Sequence, residues 1–320
     1  MDEFKIINNY LYPLSKNNQS SKKLNDDVFF DKKKNIVISI DTYNEGIHFI
    51  NFKFPDLVIK KIIRSSISDL ICKGVKPIYY FLSFSGYKNS LTHNNLKKIK
   101  KSLSKEQKKY KIKLSGGDTT SSEVLSFTVA SLGFSKKIIE RNKTKLGDDI
   151  YITGNIGDSY VGLKILKNKI KNLNKKNQKY FINKYFQPII PYGFTEILQK
   201  YANSSIDISD GLIDDLLKLI NKQNYHFKIF TDKIPVSKNF DYYIKENNLK
   251  KESYLFNGDD YQVMFTAQKK NRSKILKKSR LLNQKLTIIG EITGKTSANL
   301  LVNKNKILKI RKFKGYSHKF

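Results

Sequence analysis

The chain has 320 residues, 39% of them hydrophobic and 12% aromatic without a tryptophan, enough apolar material for two ordinary domains and too much for a disordered chain. Sixty-one Lys and Arg against 28 Asp and Glu give a formal charge of +33, but the lysines are spread almost evenly and travel with Asn and Ile, as compositional drift would leave them and unlike a nucleic-acid-binding stripe. One cysteine, Cys72, excludes an intramolecular disulfide and a Cys-based metal cage, and no run approaches the roughly 20 apolar residues of a membrane span, so a soluble cytoplasmic protein with no nucleic-acid or membrane partner is expected.

In chain order, β-strands are predicted at 36–41 (IVISID), 78–85 and 124–134. Between the first two lies a helix that starts near Pro55, carries Leu57, Ile59, Ile62, Ile63, Ile67, Leu70 and Ile71 at mostly helical spacing, and stops at Gly74. Asp69 therefore rides on its last turns. A lysine-laden amphipathic helix is expected from about Asn94 to Lys108, followed by KIKLSGGDTT, where two glycines put Asp118 at a strand end open to close backbone approach. A turn at Gly147-Asp148 opens a strand at 150–153 and a helix from about Asp158, dividing the chain into domains 1–145 and 146–320. Beyond it come a helix at 191–201, a strand in SSIDIS, a helix at 211–222, strands at 226–231 and 261–267, and strands near 286 and 299. The basic tract 164–179 reads as a solvated helix end and connection.

Acidic residues are scarce, yet many sit in knots beside Gly or Ser: Asp26-Asp27, Asp41, Asp69, Asp118, Asp207 with Asp210, and Asp259-Asp260. Magnesium combines a few carboxylates with substrate phosphates, so aspartates from separate elements suit a metal-held polyphosphate. Any one of them more often caps a helix or stabilises a turn; the set favours a site. Ser209 or Asp210 reads as an N-cap, Asp214 and Asp215 as dipole-complementing residues, and Asp148 and Asp149 as turn residues. GEITGKT (290–296) has three residues between its glycines where a P-loop needs four, and Gly154, Gly157 and Gly162 are wrongly spaced for a dinucleotide fingerprint. His48 carries no signal alone, and Cys72 reads as a small buried hydrophobe.

Taken together and in order, the Asp26-Asp27 pair, ISIDT followed by IHF, SISDL, SGGDTT, Arg141, GDDIYITGNIGDS, SIDISDGL, GDDYQ and FKGYSH resemble the thiamine-monophosphate kinase family, in the superfamily of aminoimidazole-ribonucleotide synthetase. The resemblance spans essentially the whole chain. It implies an α/β (α+β) fold of two domains, with an N-terminal sheet that pairs with its twin in a homodimer and a C-terminal α/β domain folded over the active site. The implied reaction is ATP-dependent phosphorylation of thiamine monophosphate to thiamine diphosphate by direct in-line transfer, with several Mg2+ ions, K+ as a candidate accessory ion, and no catalytic base.

Carried over by position, Asp27, Ser39, Ile40 (through its carbonyl), Asp41, Asp69, Asp118, Asp207 and Asp210 look like magnesium ligands. Gly117, Asp118, Arg141 and Ser209 match nucleotide-contacting positions, Arg141 also being a candidate charge stabiliser, and His48, Asp259 and Phe313 match positions that contact thiamine phosphate. The chain departs from the family pattern at Lys23-Leu24-Asn25, where Gly-Ile-Gly is usual, at Ile40 for a common Thr, at Asp259 for Glu, and at Phe313 for an aromatic that is often Trp. The alternatives are another ATP-using member of the superfamily, such as selenophosphate synthetase or the hydrogenase-maturation dehydratase, each with a characteristic Cys absent here, and a basic nucleic-acid-binding protein whose acidic knots are merely turns.

Overall fold

The computed structural model describes residues 3–170, 172–294, 298–303 and 306–310, and within them the chain forms two sheets, drawn from residues 29–134 and 149–310. The first contains β1 (Phe29–Asp31), β2 (Ile36–Asn44), β3 (Pro77–Gly86), β4 (Lys113–Leu114), β5 (Thr119–Ser121) and β6 (Ser126–Phe134). Their order is β1-β2-β6-β3-β4, with β5 also pairing β3; the long β2, β6 and β3 are antiparallel neighbours. Period-two alternation sets the faces. On β2, Val37, Ser39 and Tyr43 are buried while Ile40 and Thr42 are exposed, so Asp41 takes the inner parity.

That inner face packs on α1 (Pro55–Cys72), with α2 (His93–Tyr110) beside it. Proline in the first turn suits the start of α1, and Gly74 in the left-handed region (φ 75°) ends it, the Gly74 and Val75 N–H groups returning to Ile71 and Leu70 at 2.9 Å each. Ile59, Ile62, Ile63, Ile67 and Ile71 share one core with Phe49, Phe127 and Val129 of the first half and Tyr151, Val263 and Phe265 of the second. A helix wrapped this way leaves its polar side chains no water. Arg64 accordingly donates to both Glu106 oxygens (2.8 and 3.0 Å) and to the Pro188 carbonyl (3.1 Å).

The second sheet holds β7 (Asp149–Thr153), β8 (Ser204–Asp207), β9 (His226–Phe230), β10 (Val263–Ala267), β11 (Leu286–Thr293), β12 (Asn299–Asn303) and β13 (Lys306–Ile310), in the order β13-β12-β9-β11-β7-β10-β8. All its pairings are antiparallel except β12 with β9. The helices of this half are α3 (Asp158–Leu166), α4 (Lys175–Phe186), α5 (Thr195–Tyr201), α6 (Leu212–Leu219), α7 (Lys238–Glu246) and α8 (Arg272–Leu281).

Three expectations need correction. The tract 164–179 is not a solvated connection throughout: α4 begins inside it and buries Phe181, Tyr185 and Phe186, an aromatic face that the preceding lysines obscure. Asp149 is not a turn residue but the first residue of β7, and its carboxylate takes two bonds from Arg272 at 2.8 and 2.9 Å. Neither Ser209 nor Asp210 caps α6; Gly211 (φ 140°) stands at its start, and Asp215 folds back to accept the N–H groups of Ser209, Asp210 and Gly211 at 3.0 Å each. Phe313, the FKGYSH segment, and Lys295 and Thr296 of GEITGKT lie outside the described residues.

Arg64→Ala would strand Glu106 as a buried, unpaired charge, and breaking such a pair costs about 3–5 kcal/mol. The expected result is a lower urea midpoint with an unchanged far-UV circular dichroism spectrum.

Candidate active site

Four segments distant in sequence bring carboxylates together. Asp27 lies just ahead of β1, Asp41 on β2, Asp69 on the last turn of α1, and Asp207 at the end of β8. One oxygen from each of Asp27, Asp69 and Asp207 falls within 4.8 Å of the others. An all-oxygen, multi-carboxylate set of this kind fits a hard divalent cation such as Mg2+. Without one it is strained electrostatically. Burial, then Asp41 and Asp207, push the Asp69 carboxyl well above its ordinary range. Burial also raises Asp41 and Asp207 to about 6, against the opposing hydrogen bonds from Tyr43 to Asp41 (3.3 Å) and from Ser68 to Asp207.

Among the described residues, the ion pairs of this region fall on the flanking carboxylates and not on Asp41, Asp69 or Asp207. Lys73 reaches Asp26 at 2.7 Å and Asp27 at 2.6 Å, and the Arg141 guanidinium also sits on Asp27. Lys218 pairs with Asp210 and lies 3.2 Å from Asp215. Asp259 takes Lys61 at 2.6 Å and the Tyr261 hydroxyl at 3.1 Å. The Lys61 ammonium lies 3.9 Å from the centre of the Tyr185 ring, and burial lowers its pKa in spite of Asp259.

A cavity of about 600 Å³ opens on this centre, its lining combining Asp41, Asp69, Asp207 and Asp210 with Ile47, Tyr160, Leu163 and Phe256. His48, Ser209 and Asp259 line it too. The Asn44 N–H donates to His48 Nδ1 at 3.0 Å, which leaves the proton of the neutral imidazole on Nε2. Asp259 (φ 67°) is held through its own N–H on the Ser209 carbonyl at 2.8 Å. The two loops meet so closely that a Cβ on Gly258 would lie 1.7 Å from that same carbonyl oxygen.

Other residues named from the sequence fall elsewhere. Ser39 is buried, donates to the Ser66 carbonyl at 3.3 Å, and shares with Asp26 and Asp27 a second cavity of about 490 Å³ that Leu11 and Leu14 help to line. The Ile40 side chain is 67% exposed on the opposite face from Asp41, so only its backbone is available as a ligand. Gly117 and Asp118 stand apart from the acidic centre. Asp118 lines a separate depression with Ser83, Ser85, Thr120 and Thr128, and the path β2-β6-β3-β5 spans three strand spacings, about 14 Å. Gly117 has a backbone reason to be glycine, since its Cβ would meet the Leu82 carbonyl oxygen at 1.9 Å. Cys72 is buried with its thiol on the Asp69 carbonyl (3.1 Å), and burial pushes its pKa far above the reactive range.

Sequence reasoning missed Lys61, Lys73 and Lys218. In a chain with 61 basic residues a lysine inside or just after an apolar helix does not stand out. The available signal was the apolar run of α1, which surrounds Lys61 and ends just before Lys73: a helix buried on nearly all sides must supply its cations with partners.

Residues 25–135 match the family model described as AIR synthase related protein, N-terminal domain. Over its whole length the chain is similar to the thiamine-monophosphate kinase of Buchnera aphidicola subsp. Acyrthosiphon pisum (strain APS), 38% identical over 333 residues that cover 99% of this chain and 98% of the relative. The chain belongs to the thiamine-monophosphate kinase family. The thiamine-monophosphate kinase of Aquifex aeolicus (strain VF5) is 29% identical over 270 residues, covering 83% and 87% of the two chains. Among solved structures, the one described as AaThiL complexed with AMPPCP and TMP matches with a TM-score of 0.84 at 26% identity, covering 100% of this chain and 99% of that one.

For this member of the thiamine-monophosphate kinase family, the raised Asp41 gives a stability test. A folded-state pKa of about 6, against an ordinary 3.8, means that the folded protein binds the extra proton, so the penalty is absent below about pH 4 and complete above about pH 6. Asp41→Asn is expected to raise the melting temperature of the metal-free protein at pH 7.5 by a few degrees, with the gain shrinking toward pH 4.5. Differential scanning calorimetry in a chelator checks it.

Proposed function

We propose that this protein transfers the γ-phosphoryl group of ATP to thiamine monophosphate, giving thiamine diphosphate and ADP. The observation that carries this reading is the meeting of Asp27, Asp69 and Asp207 from three distant segments, with Asp69 and Asp207 lining a cavity that Tyr160 and Phe256 share, in a chain 38% identical over its full length to a thiamine-monophosphate kinase.

The acceptor is itself a phosphate oxygen, mostly deprotonated at neutral pH because a phosphomonoester has a second pKa of about 6. The bond from the terminal phosphorus of ATP to its bridging oxygen breaks, a new P–O bond forms to the acceptor oxygen, and the electron pair leaves with ADP. No side chain has to remove a proton; the single cysteine, Cys72, is buried with a raised pKa and lies outside the cavity lining. The chemical difficulty is alignment of two polyanions. Asp27, Asp69 and Asp207 would hold Mg2+, with Asp41 and Asp210 beside them on the cavity wall; the metal, when bound, would supply charge neutralisation for the phosphates. Arg141 would add positive charge beside Asp27. For the thiamine end, a cationic aromatic ring system, Tyr160, Phe256 and the Asp259 carboxylate offer stacking and a counter-charge, with His48 Nε2 as a donor.

The same reading divides the chain at residue 145 and makes it a homodimer. Tyr79, Phe81 and Phe134 of the outer sheet face are 37–48% exposed and Ile40 more so, a row of apolar side chains suited to a second copy. Asp118 and Gly117 lie beside this face, where nucleotide contact would depend on the pairing. Among the described residues no helix is long and apolar enough to cross a membrane, and action in the cytoplasm, where ATP is available, belongs to the same proposal.

Purified protein with ATP, Mg2+ and thiamine monophosphate is expected to form thiamine diphosphate, and Asp69→Asn to lower kcat by about two to three orders of magnitude while leaving the melting profile cooperative. Absence of product from well-folded wild type, with Mg2+ varied and K+ present or omitted, would refute the kinase reading. Separately, Phe81→Glu should convert a dimer to a monomer in light scattering; a wild type that is already monomeric would remove the dimer from the proposal.

A further inference from the structure

Lys73 is the first residue after α1, fully buried, and its ammonium uses its three donors on three separate acceptors: Asp26 at 2.7 Å, Asp27 at 2.6 Å, and the Ser205 carbonyl at 2.8 Å. These acceptors come from the segment ahead of β1 and from β8, the strand that ends in Asp207. Its own backbone N–H returns to Leu70 and Asp69 at 3.1 and 3.3 Å. The ammonium therefore ties together the elements that carry Asp27, Asp69 and Asp207. This is the arrangement of a cation with oxygen ligands, built from the chain itself.

We propose that Lys73 is a positioning residue of the metal centre, a built-in monovalent cation at the Asp26-Asp27 end of the acidic array that takes up part of the Asp27 charge and so weakens the hold of Asp27, Asp69 and Asp207 on divalent ions. This deepens the kinase reading and rests on it for the identity of the site. Two observations beyond the contacts favour it. Asp26 also accepts the Arg141 backbone N–H at 3.0 Å, so the Asp26-Asp27 segment is pinned in one orientation around the ammonium and not merely neutralised. The ammonium is also fully buried, so these fixed acceptors and not water must satisfy its charge.

The test separates charge compensation from structural support. Mn2+, as a spectroscopic stand-in for Mg2+, is titrated into nucleotide-free protein and followed by electron paramagnetic resonance, alongside the Mg2+ dependence of turnover. Lys73→Met removes the internal cation, which lies 2.6 Å from Asp27, and should tighten Mn2+ binding about tenfold, because a unit charge and a divalent ion that share a carboxylate repel one another appreciably even at the dielectric constant of water. Asp26→Asn, which leaves the ammonium to Asp27 alone, should weaken binding, and the double variant should return close to wild type. The Mg2+ concentration for half-maximal turnover should move in the same opposite senses, apart from any change in kcat. Single variants that both weaken binding, as loss of a structural tie would produce, or a folded Lys73→Met with wild-type affinity, would overturn the proposal. If Lys73→Met does not fold, Asp26→Asn decides alone, unchanged affinity counting against it. Because the Mn2+ arm needs no substrate, a protein that fails to phosphorylate thiamine monophosphate still reports on Lys73.

Discussion

Asp41, Asp69 and Asp207 line one cavity within reach of each other's charge, and their repulsion is the constraint to which the rest of the site responds. Burying like charges raises the proton affinity of each, so the metal-free centre is poised to take up positive charge in some form, whether protons or divalent ions. The flanking carboxylates are handled differently. Asp26, Asp27, Asp210 and Asp259 have lysine or arginine partners from the chain, so the demand for an external cation is concentrated in the middle. The division depends on geometry: the partners reach inward from α1, α6 and the segment at residue 141, while the centre faces the cavity.

Helix α1 makes that geometry possible. It carries Asp69 and Lys61, ends just before Lys73, and fills the space between the inner face of the first sheet and strands β7 and β10 of the second. The apolar contacts fix its rotation and axial position, and hence which carboxylate faces which. A shift of one residue along the helix would turn Asp69 by about 100° away from the centre. Packing of the isoleucines and placement of the acid group are thus one constraint seen from two sides.

Much of this was legible in the sequence. The strand at 36–41, the helix from Pro55 to its stop at Gly74, and the strand in SSIDIS were all readable from period and punctuation, and with them the elements that carry Asp41, Asp69 and Asp207. What was not legible depended on contacts between segments far apart. Asp149 looks like a turn residue until Arg272, more than a hundred positions away, is brought against it. Asp215 looks like a dipole-complementing residue until the preceding loop folds over it and presents three N–H groups. The roles of Lys61, Lys73 and Lys218 were hidden for a compositional reason, because a residue type used almost everywhere carries little information at any one place. The separation of Asp118 from the other aspartates was hidden for a topological one: it depends on the order of strands in the sheet, which local pattern does not specify.

The close seam between Gly258 and the Ser209 carbonyl has a consequence for how this sequence can change. Lysine and asparagine are spread along most of the chain, largely on surfaces where a different side chain would simply extend into water. At residue 258 even a methyl group would collide with backbone, and the backbone in question holds Asp259 at the edge of the cavity. Substitution that the exterior can tolerate therefore meets a steric wall at this seam. The loop that borders the cavity is protected by the absence of space and not by the chemistry of its side chains.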